Sequence, residues 1–379
     1  MRFTPSAPLT FGLELELQVL DPRTGRLVPA ASGLWTALQP RPQARHFALE
    51  ATQATIEFNS SVHTHADRLA DEVAACVGLL REVARDQGLE LHGGGTQIAQ
   101  FWNQRVLTPT PRARLLTERF GFLPKRFSTY GMHVHVGMPD GEQALAVANV
   151  LQALSPLFIA MSAASPFLQL ADSGLAACRP LEPLVYPHGG PMPVLRDWAA
   201  FEAVVQDYVD TGIADTLKDI YWDVRPKPEF GTVEVRVFDT PLSVRKAVAL
   251  AAFTRALAGL ALRGQLVLPD AVQTGTPARR VSRFNACRHG MEASLHNPWA
   301  DAWQPARHWL ATLIDAVRAC PAEAADQAWI DTLIAGDAPE DHAWMRAQWS
   351  ALGGRFDGAE PPVALLADNA RRMAARLLD

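Results

Sequence analysis

The chain has 379 residues, 48% of them hydrophobic and 20% charged, enough apolar surface for a sizeable core in one to three domains. Lys and Arg number 35 against 40 Asp and Glu, a formal charge of -5 that gives no attraction to nucleic acid or an anionic membrane. No run approaches the roughly 18 apolar residues of a membrane span, and the first twelve residues lack the apolar stretch of a signal peptide, so a cytoplasmic protein is expected.

Residues 11–20 alternate as a strand and close on Asp21-Pro22-Arg23-Thr24-Gly25, a turn; residues 53–59 alternate again. Leu69, Val73, Cys76, Leu80 and Val83 mark an amphipathic helix that Gly88 can end. A short strand over 89–92 leads into Gly93-Gly94-Gly95, and 130–138 is a further strand. The Ala-rich stretch 143–154 predicts a buried helix with Pro156 near its end, and the prolines of 180–195 predict a long surface loop suited to substrate contacts. After a helix over 196–210, strands at 221–225 and 232–238 read as a hairpin around a loop at 226–231. From Ser243 the chain is Ala- and Leu-rich. We therefore expect a single α+β domain spanning 1–379, with a sheet-forming part at 1–240 and a mostly helical part at 241–379. Cys76, Cys178, Cys287 and Cys320 are far apart and form no C-x-x-C pair, which predicts buried thiols rather than disulfides or structural zinc.

Side chains two apart share a strand face. Glu14 with Glu16, Glu57 with Asn59, His133 with His135, Asp223 with Arg225, and Glu234 with Arg236 all stand opposite apolar partners. A solvated sheet face would account for any one strand, but such faces mix in Lys, Ser and Thr, and these strands offer acids, imidazoles and guanidiniums instead. A shared face carrying Glu14, Glu16, Glu57 and Glu234 repels itself unless cations bind it, and Arg236 beside it suits a phosphate. Oxygen ligands with one imidazole favour Mg2+ or Mn2+ over zinc. Gly95 and Thr96, at the end of the glycine run, either bring N–H groups to a phosphate or form a plain turn; the chain has no P-loop, and no G-x-S-x-G.

Gly12-Leu13-Glu14-Leu15-Glu16, Glu50 with Glu57, Gly131-Met132-His133-Val134-His135-Val136-Gly137, Ser162-Ala163-Ala164-Ser165-Pro166-Phe167, Tyr221-Trp222-Asp223-Val224-Arg225-Pro226 and Thr232-Val233-Glu234-Val235-Arg236 occur in one order. Together, from about residue 10 to 350, they resemble the YbdK-type carboxylate-amine ligases, also called type 2 glutamate–cysteine ligases. The resemblance implies a curved antiparallel sheet of the glutamine synthetase type, with a site for ATP and metal. It also implies a reaction in which ATP phosphorylates an amino acid carboxylate, glutamate by preference, and an amine displaces phosphate. A homodimer is common in the family.

By the same resemblance Glu14, Glu16, Glu57, His133 and Glu234 are metal ligands, and His135 faces nucleotide or substrate as a catalytic group. Arg236 contacts phosphate, with Arg225, Gly95 and Thr96 on the nucleotide, while Arg179 and Gln97 face substrate. The family's Gly-Thr-His-Pro-Phe is Gly95-Thr96-Gln97-Ile98-Ala99 here, its Arg-Tyr is Arg112-Ala113, and its Glu-Asn-Arg-Trp-Arg-Ala is Val281-Ser282-Arg283-Phe284-Asn285-Ala286. Losing a ring or polar group at Gln97, Ile98 and Ala113 predicts that cysteine is a poor acceptor. Two other readings of the same residues stand beside the ligase: a metal-dependent amide hydrolase and a non-catalytic ligand-binding relative.

Overall fold

The alternation at the start of the chain folds as β1 (Phe11–Asp21), the strand on which the sheet is built. The computed structural model describes every residue except 127–128, 271, 274 and 336–339. Around β1 stand β2 (Arg26–Leu27), β3 (Phe47–Leu49), β4 (Thr55–Asn59), β5 (Glu90–His92), β6 (Gly131–Gly137), β7 (Val224–Lys227) and β8 (Thr232–Asp239). They form one sheet of order β7-β8-β6-β1-β4-β3, with β2 and β5 also on β1, and every pairing is antiparallel. The architecture is α+β, as the sequence predicts.

Leu13, Leu15 and Leu17 share one face with Ile56, Phe58, Met132, Val134, Val136, Val233 and Val235, and all are buried. Helices cover that face: α3 (Gly141–Ala153) packs on β7 and β8, α4 (Ser155–Ser162) on β8, and α5 (Val244–Leu262) on β6 and β1. Behind α5 lies α1 (Ala66–Asp86); α2 (Pro111–Phe120) stands apart from this layer, and α6 (Pro277–His289) packs on α4. Each buried Val, Leu or Phe contributes about 1.5–3 kcal/mol over its exposed state. A one-residue slip of β1 would push Glu14 and Glu16 into this layer, so burial fixes the register and with it the polar face. One apolar cluster runs from Phe11 to Leu377, drawing on both 1–240 and 241–379.

Four local expectations change. Pro226 lies inside β7 rather than in a loop, because β7 ends the sheet order and its missing N–H costs no ladder bond. The strand consequently extends to Lys227. Tyr221–Trp222 leaves the main sheet and pairs in parallel with Gly189–Gly190. The 180–195 segment is no simple surface loop: a 3-10 turn spans Arg179–Val185, and Tyr186, His188 and Met192 are buried. Pro156 starts α4 rather than stopping α3. Beyond Ser243 the described residues are mostly helical, with one hairpin of Ser294–Asn297 and Ala302–Pro305. The four cysteines are free and buried. No single helix among the described residues is long and apolar enough to cross a membrane; α3 and α4, both apolar, meet at 58° inside the core.

Candidate active site

Antiparallel register sets the polar side chains in rows. Glu14 stands opposite His133 and Asn59, Glu16 opposite Glu57, and Glu234 opposite both His135 and Arg225. Between Val235 and Phe238 the pairing of β8 with β6 slips by one residue, a bulge that brings both Arg236 and Val237 to the wall of the cleft. The cleft encloses about 510 Å³ and is lined by acids and cations of the sheet, with Arg179, Pro180, Pro183, Tyr221 and Arg283.

The metal-type residues separate into two groups. In the first, ligand atoms of Glu14, His135 and Glu234 lie within 4.8 Å of one another. Glu14 bridges the two histidines, with Oε2 at 2.7 Å from His133 Nδ1 and Oε1 at 3.1 Å from His135 Nε2. Burial alone would raise the Glu14 carboxyl, but these hydrogen bonds hold it well below the usual range. Glu234, 1% exposed, is gripped by Arg225 Nε at 2.7 Å, by Arg236 Nη1, and by Lys227 Nζ at 3.7 Å. Burial opposes its ionisation too, and the surrounding cations overcome it.

Glu16, Glu50 and Glu57 form the second group, again within 4.8 Å. Among the described residues no guanidinium is hydrogen-bonded to these acids as Arg225 is to Glu234, and the charges of Arg179 and Arg236 offset only part of the penalty on Glu16. Burial and then the Glu50 charge push Glu16 up to about 7 and raise Glu57 well above the ordinary value. Glu16 Oε2 accepts the Gly131 N–H at 2.5 Å, and Glu57 Oε1 accepts from Asn59. Three oxygen ligands whose mutual repulsion a divalent ion relieves fit Mg2+ or Mn2+ by their chemistry. His133 stands between the groups. Its Nδ1 faces Glu14, so that nitrogen carries the proton, and Nε2 turns a lone pair toward Glu16 Oε1 at 4.0 Å. Burial and the Arg236 charge depress it to about 4, keeping the ring neutral.

The structure thus gathers Glu14, Glu16, Glu57, His133, Glu234, Arg236 and Arg179 at one cleft and adds Glu50, which the sequence pairs with Glu57 but which follows the end of β3 where alternation says nothing. His135 joins the first group from the far side. With Glu14, Phe11, Thr10, Val62, Phe230 and Thr232 it lines a second cavity of about 340 Å³, so the Glu14 carboxylate separates the two spaces. Arg225 lines the cleft but is 3% exposed, and its Nη1 donates to Leu217 O and Ile220 O at 2.9 and 2.7 Å. It supports Glu234 rather than standing free for a nucleotide. Arg179 spends Nη1 and Nη2 on Val237 O and Arg236 O, both at 3.3 Å, which pins the bulge. Gly131 lies flat against that guanidinium, leaving no room for a Cβ.

Three expected positions lie elsewhere. Gly95 donates to Ala164 O, and a Cβ there would sit 2.5 Å from Asp239 Cγ. The Thr96 hydroxyl donates to Phe167 O, and the Gln97 amide donates to Gly25 O and accepts from Ala99 N–H. All three serve packing around Asp239 and the first turn, and none lines the cleft. Asp239 explains the 162–167 motif: its Oδ2 accepts from Ala164 N–H and Ser165 Oγ, and burial lifts it to about 6. Ile98 is likewise core, and Ala113 lines a separate shallow cavity on α2. Since Gln97, Ile98 and Ala113 do not face the cleft, their exchange gives no ground for rejecting cysteine. The sequence reading also left Asp223, Arg112 and Arg283 without a role, though all three line it.

An antiparallel sheet with one apolar face under helices and one face of acids, imidazoles and arginines around a cleft is the fold of solved glutamate–cysteine ligases. The solved glutamate–cysteine ligase of Francisella tularensis, in complex with AMP, superposes with a TM-score of 0.64 over 98% of this chain and 94% of that one, at 14% identity. A bifunctional glutathione synthetase from Pasteurella multocida gives 0.64 over 97% of this chain and 52% of its own, at 12% identity. At these identities the likeness is one of fold. The model of glutamate-cysteine ligase family 2 matches residues 10–336, and the chain belongs to that family. It is an ATP-dependent ligase. Proteins provisionally named glutamate–cysteine ligase 2 are 41% identical over 78% of this chain and 71% of their own in Bordetella parapertussis, and 35% identical over 92% and 94% in Methylibium petroleiphilum.

Proposed function

We propose that this ligase uses ATP to phosphorylate the carboxylate of an amino acid, with glutamate the leading candidate, and joins the resulting acyl phosphate to an amine. The observation that carries the reading is the pair of acidic groups with His133 between them and Arg236 beside them. Arg236 pairs with Glu234 while facing the cleft, and the charge of Glu234 with those of Glu14 and Glu16 raises its pKa above the ordinary guanidinium value against the effect of burial. It is therefore a fixed cation at the point where phosphoryl oxygens would gain charge. No side-chain nucleophile is needed, because the substrate carboxylate attacks the γ-phosphorus.

Glu16, Glu50 and Glu57, with His133, would hold one divalent cation, Mg2+ or Mn2+, and the carboxylates of Glu14 and Glu234 would contribute to a second. Such an ion, when bound, neutralises phosphate charge and orients the transferring group. The chain's own contribution is placement: the β8 bulge aims Arg236, Arg225 locks Glu234, and Gly131 N–H fixes Glu16. The smaller cavity, with Phe230, Val62 and His135, suits the base end of the nucleotide, and the larger cleft suits the acid and amine. His135, hydrogen-bonded to Thr232 Oγ1 at 2.9 Å, would steady the phosphates at the junction. Phosphate release from ATP with Mg2+, glutamate and pooled amines, followed by the mass of the product, tests the reading. Release stimulated by both substrates together with a new amide supports it; amide cleavage without ATP, or tight binding without turnover, overturns it.

A further inference from the structure

Asp239 ends β8 just past the bulge that brings Arg236 to the cleft wall, and it is 0% exposed. Its N–H donates to Ser162 Oγ at 3.2 Å, and its Oδ2 accepts from Ala164 N–H at 2.8 Å and from Ser165 Oγ at 2.6 Å. Ser165 Oγ in turn accepts the Arg179 N–H at 3.1 Å, so one hydroxyl links the aspartate to the backbone of the arginine. The Arg179 side chain returns to β8 and donates to Arg236 O and Val237 O, the two carbonyls of the bulge. Arg236 N–H is held separately, by Asp223 O at 2.8 Å. Burial depresses the pKa of the Arg179 guanidinium, and Asp239, ahead of Glu16, is the charge that most opposes this. Burial raises Asp239, and Arg179 does most to hold it down.

A neutral amide could accept from Ala164 N–H and Ser165 Oγ without the cost of burying a charge. A carboxylate at full burial therefore answers to a cation, and Arg179 is the cation that acts on it most. The chain clears room for both groups with glycine: a Cβ on Gly95 would meet the Asp239 carboxyl, and one on Gly131 the Arg179 guanidinium. A bulge interrupts the strand ladder, so the direction of Arg236 rests on what grips its backbone, and the Arg179 fork grips two successive carbonyls at once. We propose that Asp239 is a positioning residue: through Ser165 and Arg179 it fixes the bulge, and with it the line along which Arg236 enters the cleft. Neither Asp239 nor Ser165 lines the cleft, so their influence on turnover passes through Arg179 and the bulge. The inference goes beyond the ligase reading above and rests on it for the task of Arg236.

Hydrogen exchange of the full-length protein without ligands reads the bulge directly. Ser165→Ala should speed exchange over residues 234–238 as well as over 163–179, whereas a role confined to local packing leaves 234–238 as in the wild type. Turnover is read as phosphate released from ATP with Mg2+ and the acid and amine that give most release, at pH 8, where Asp239, lifted by burial to about 6, is ionised. Asp239→Asn keeps the size and an acceptor but not the charge. It should lower kcat by about ten- to a hundredfold, since a 1 Å misplacement costs about a hundredfold, and leave the ATP KM within about threefold, because Arg236 acts in the transition state. Adding Asp239→Asn to Arg179→Gln should cost little beyond Arg179→Gln alone, as both act on one bulge; losses that multiply overturn the relay. If Asp239→Asn does not fold, Ser165→Ala, one hydroxyl smaller, carries the same kinetic comparison. Unchanged exchange over 234–238, or an unchanged kcat, overturns the proposal and spares the ligase reading; a wild type that releases no phosphate with any acid and amine removes both.

Discussion

Arg225 gives the sharpest separation between what its position in the sequence suggests and what its surroundings require. As a nucleotide contact, its loss would raise the KM for ATP and leave the fold intact. In the structure it holds Glu234 through Nε and, through Nη1, the buried carbonyls of Leu217 and Ile220 and the half-buried one of Lys218, at 3% exposure. Arg225→Met therefore strands part of a buried carboxylate and frees two buried carbonyls. Breaking a buried pair from one side costs about 3–5 kcal/mol, a large share of the about 5–15 kcal/mol that holds a typical protein together. Urea unfolding followed by tryptophan fluorescence, with EDTA present, should show a loss of that order. Arg225→Lys, which keeps the charge without the fork, should lose less. Adding Glu234→Gln to Arg225→Met should recover part of the loss, since no ionised acid is then left behind. If Arg225→Met unfolds within about 0.5 kcal/mol of wild type, a surface-like effect, and only the ATP KM moves, the support role is wrong.

Turnover should vanish with EDTA and return with Mg2+ or Mn2+, and calorimetric titration of Glu57→Gln should show a weakened metal response; full activity after exhaustive chelation would remove the metal reading. His133→Ala should raise the metal concentration needed for half-activity, whereas His135→Ala should chiefly raise the ATP KM, and equal metal dependences would erase the distinction. Acid should unfold the protein through its buried neutral histidines. His92, whose Nδ1 donates to Gly93 O at 2.6 Å, is held down to about 4 by burial. Its folded pKa lies below the unfolded value of 6.5, so its contribution is complete above about pH 6.5 and is lost as pH falls toward 4, about 3 kcal/mol in all. His92→Gln should flatten that limb of the stability–pH curve, and an unchanged slope would contradict the assignment.

The sheet was legible wherever a strand lies with one face on helices, because a period of two then sorts leucines and valines from acids and imidazoles without ambiguity. β1, β6 and β8 are of this kind, and they carry Glu14, Glu16, His133, His135, Glu234 and Arg236. Residues outside such strands gave no comparable signal. Glu50 follows the end of β3, and Asp223 sits between two short pairings. Arg283 was hidden by an inverted helix pattern: on α6 the apolar Val281 and Phe284 are exposed while Arg283 points inward, so periodicity alone would assign it to water. Gly95 and Thr96 misled in the opposite sense. A glycine run before a threonine resembles a phosphate cradle, yet here the missing side chain makes room for a carboxylate of the core.

Glu14 has a consequence for how ligands influence one another. Its two oxygens hydrogen-bond to different histidines, Oε2 to His133 and Oε1 to His135, and it belongs to the walls of both cavities. An occupant that draws on Oε1 alters the basicity of Oε2, so the free energy of filling one space depends on the state of the other. Linkage of this type is reciprocal: whatever factor the first occupant imposes on the affinity of the second, the second returns to the first. One shared carboxylate can in this way make the protein heterotropic within a single chain, without a subunit interface or a moving domain.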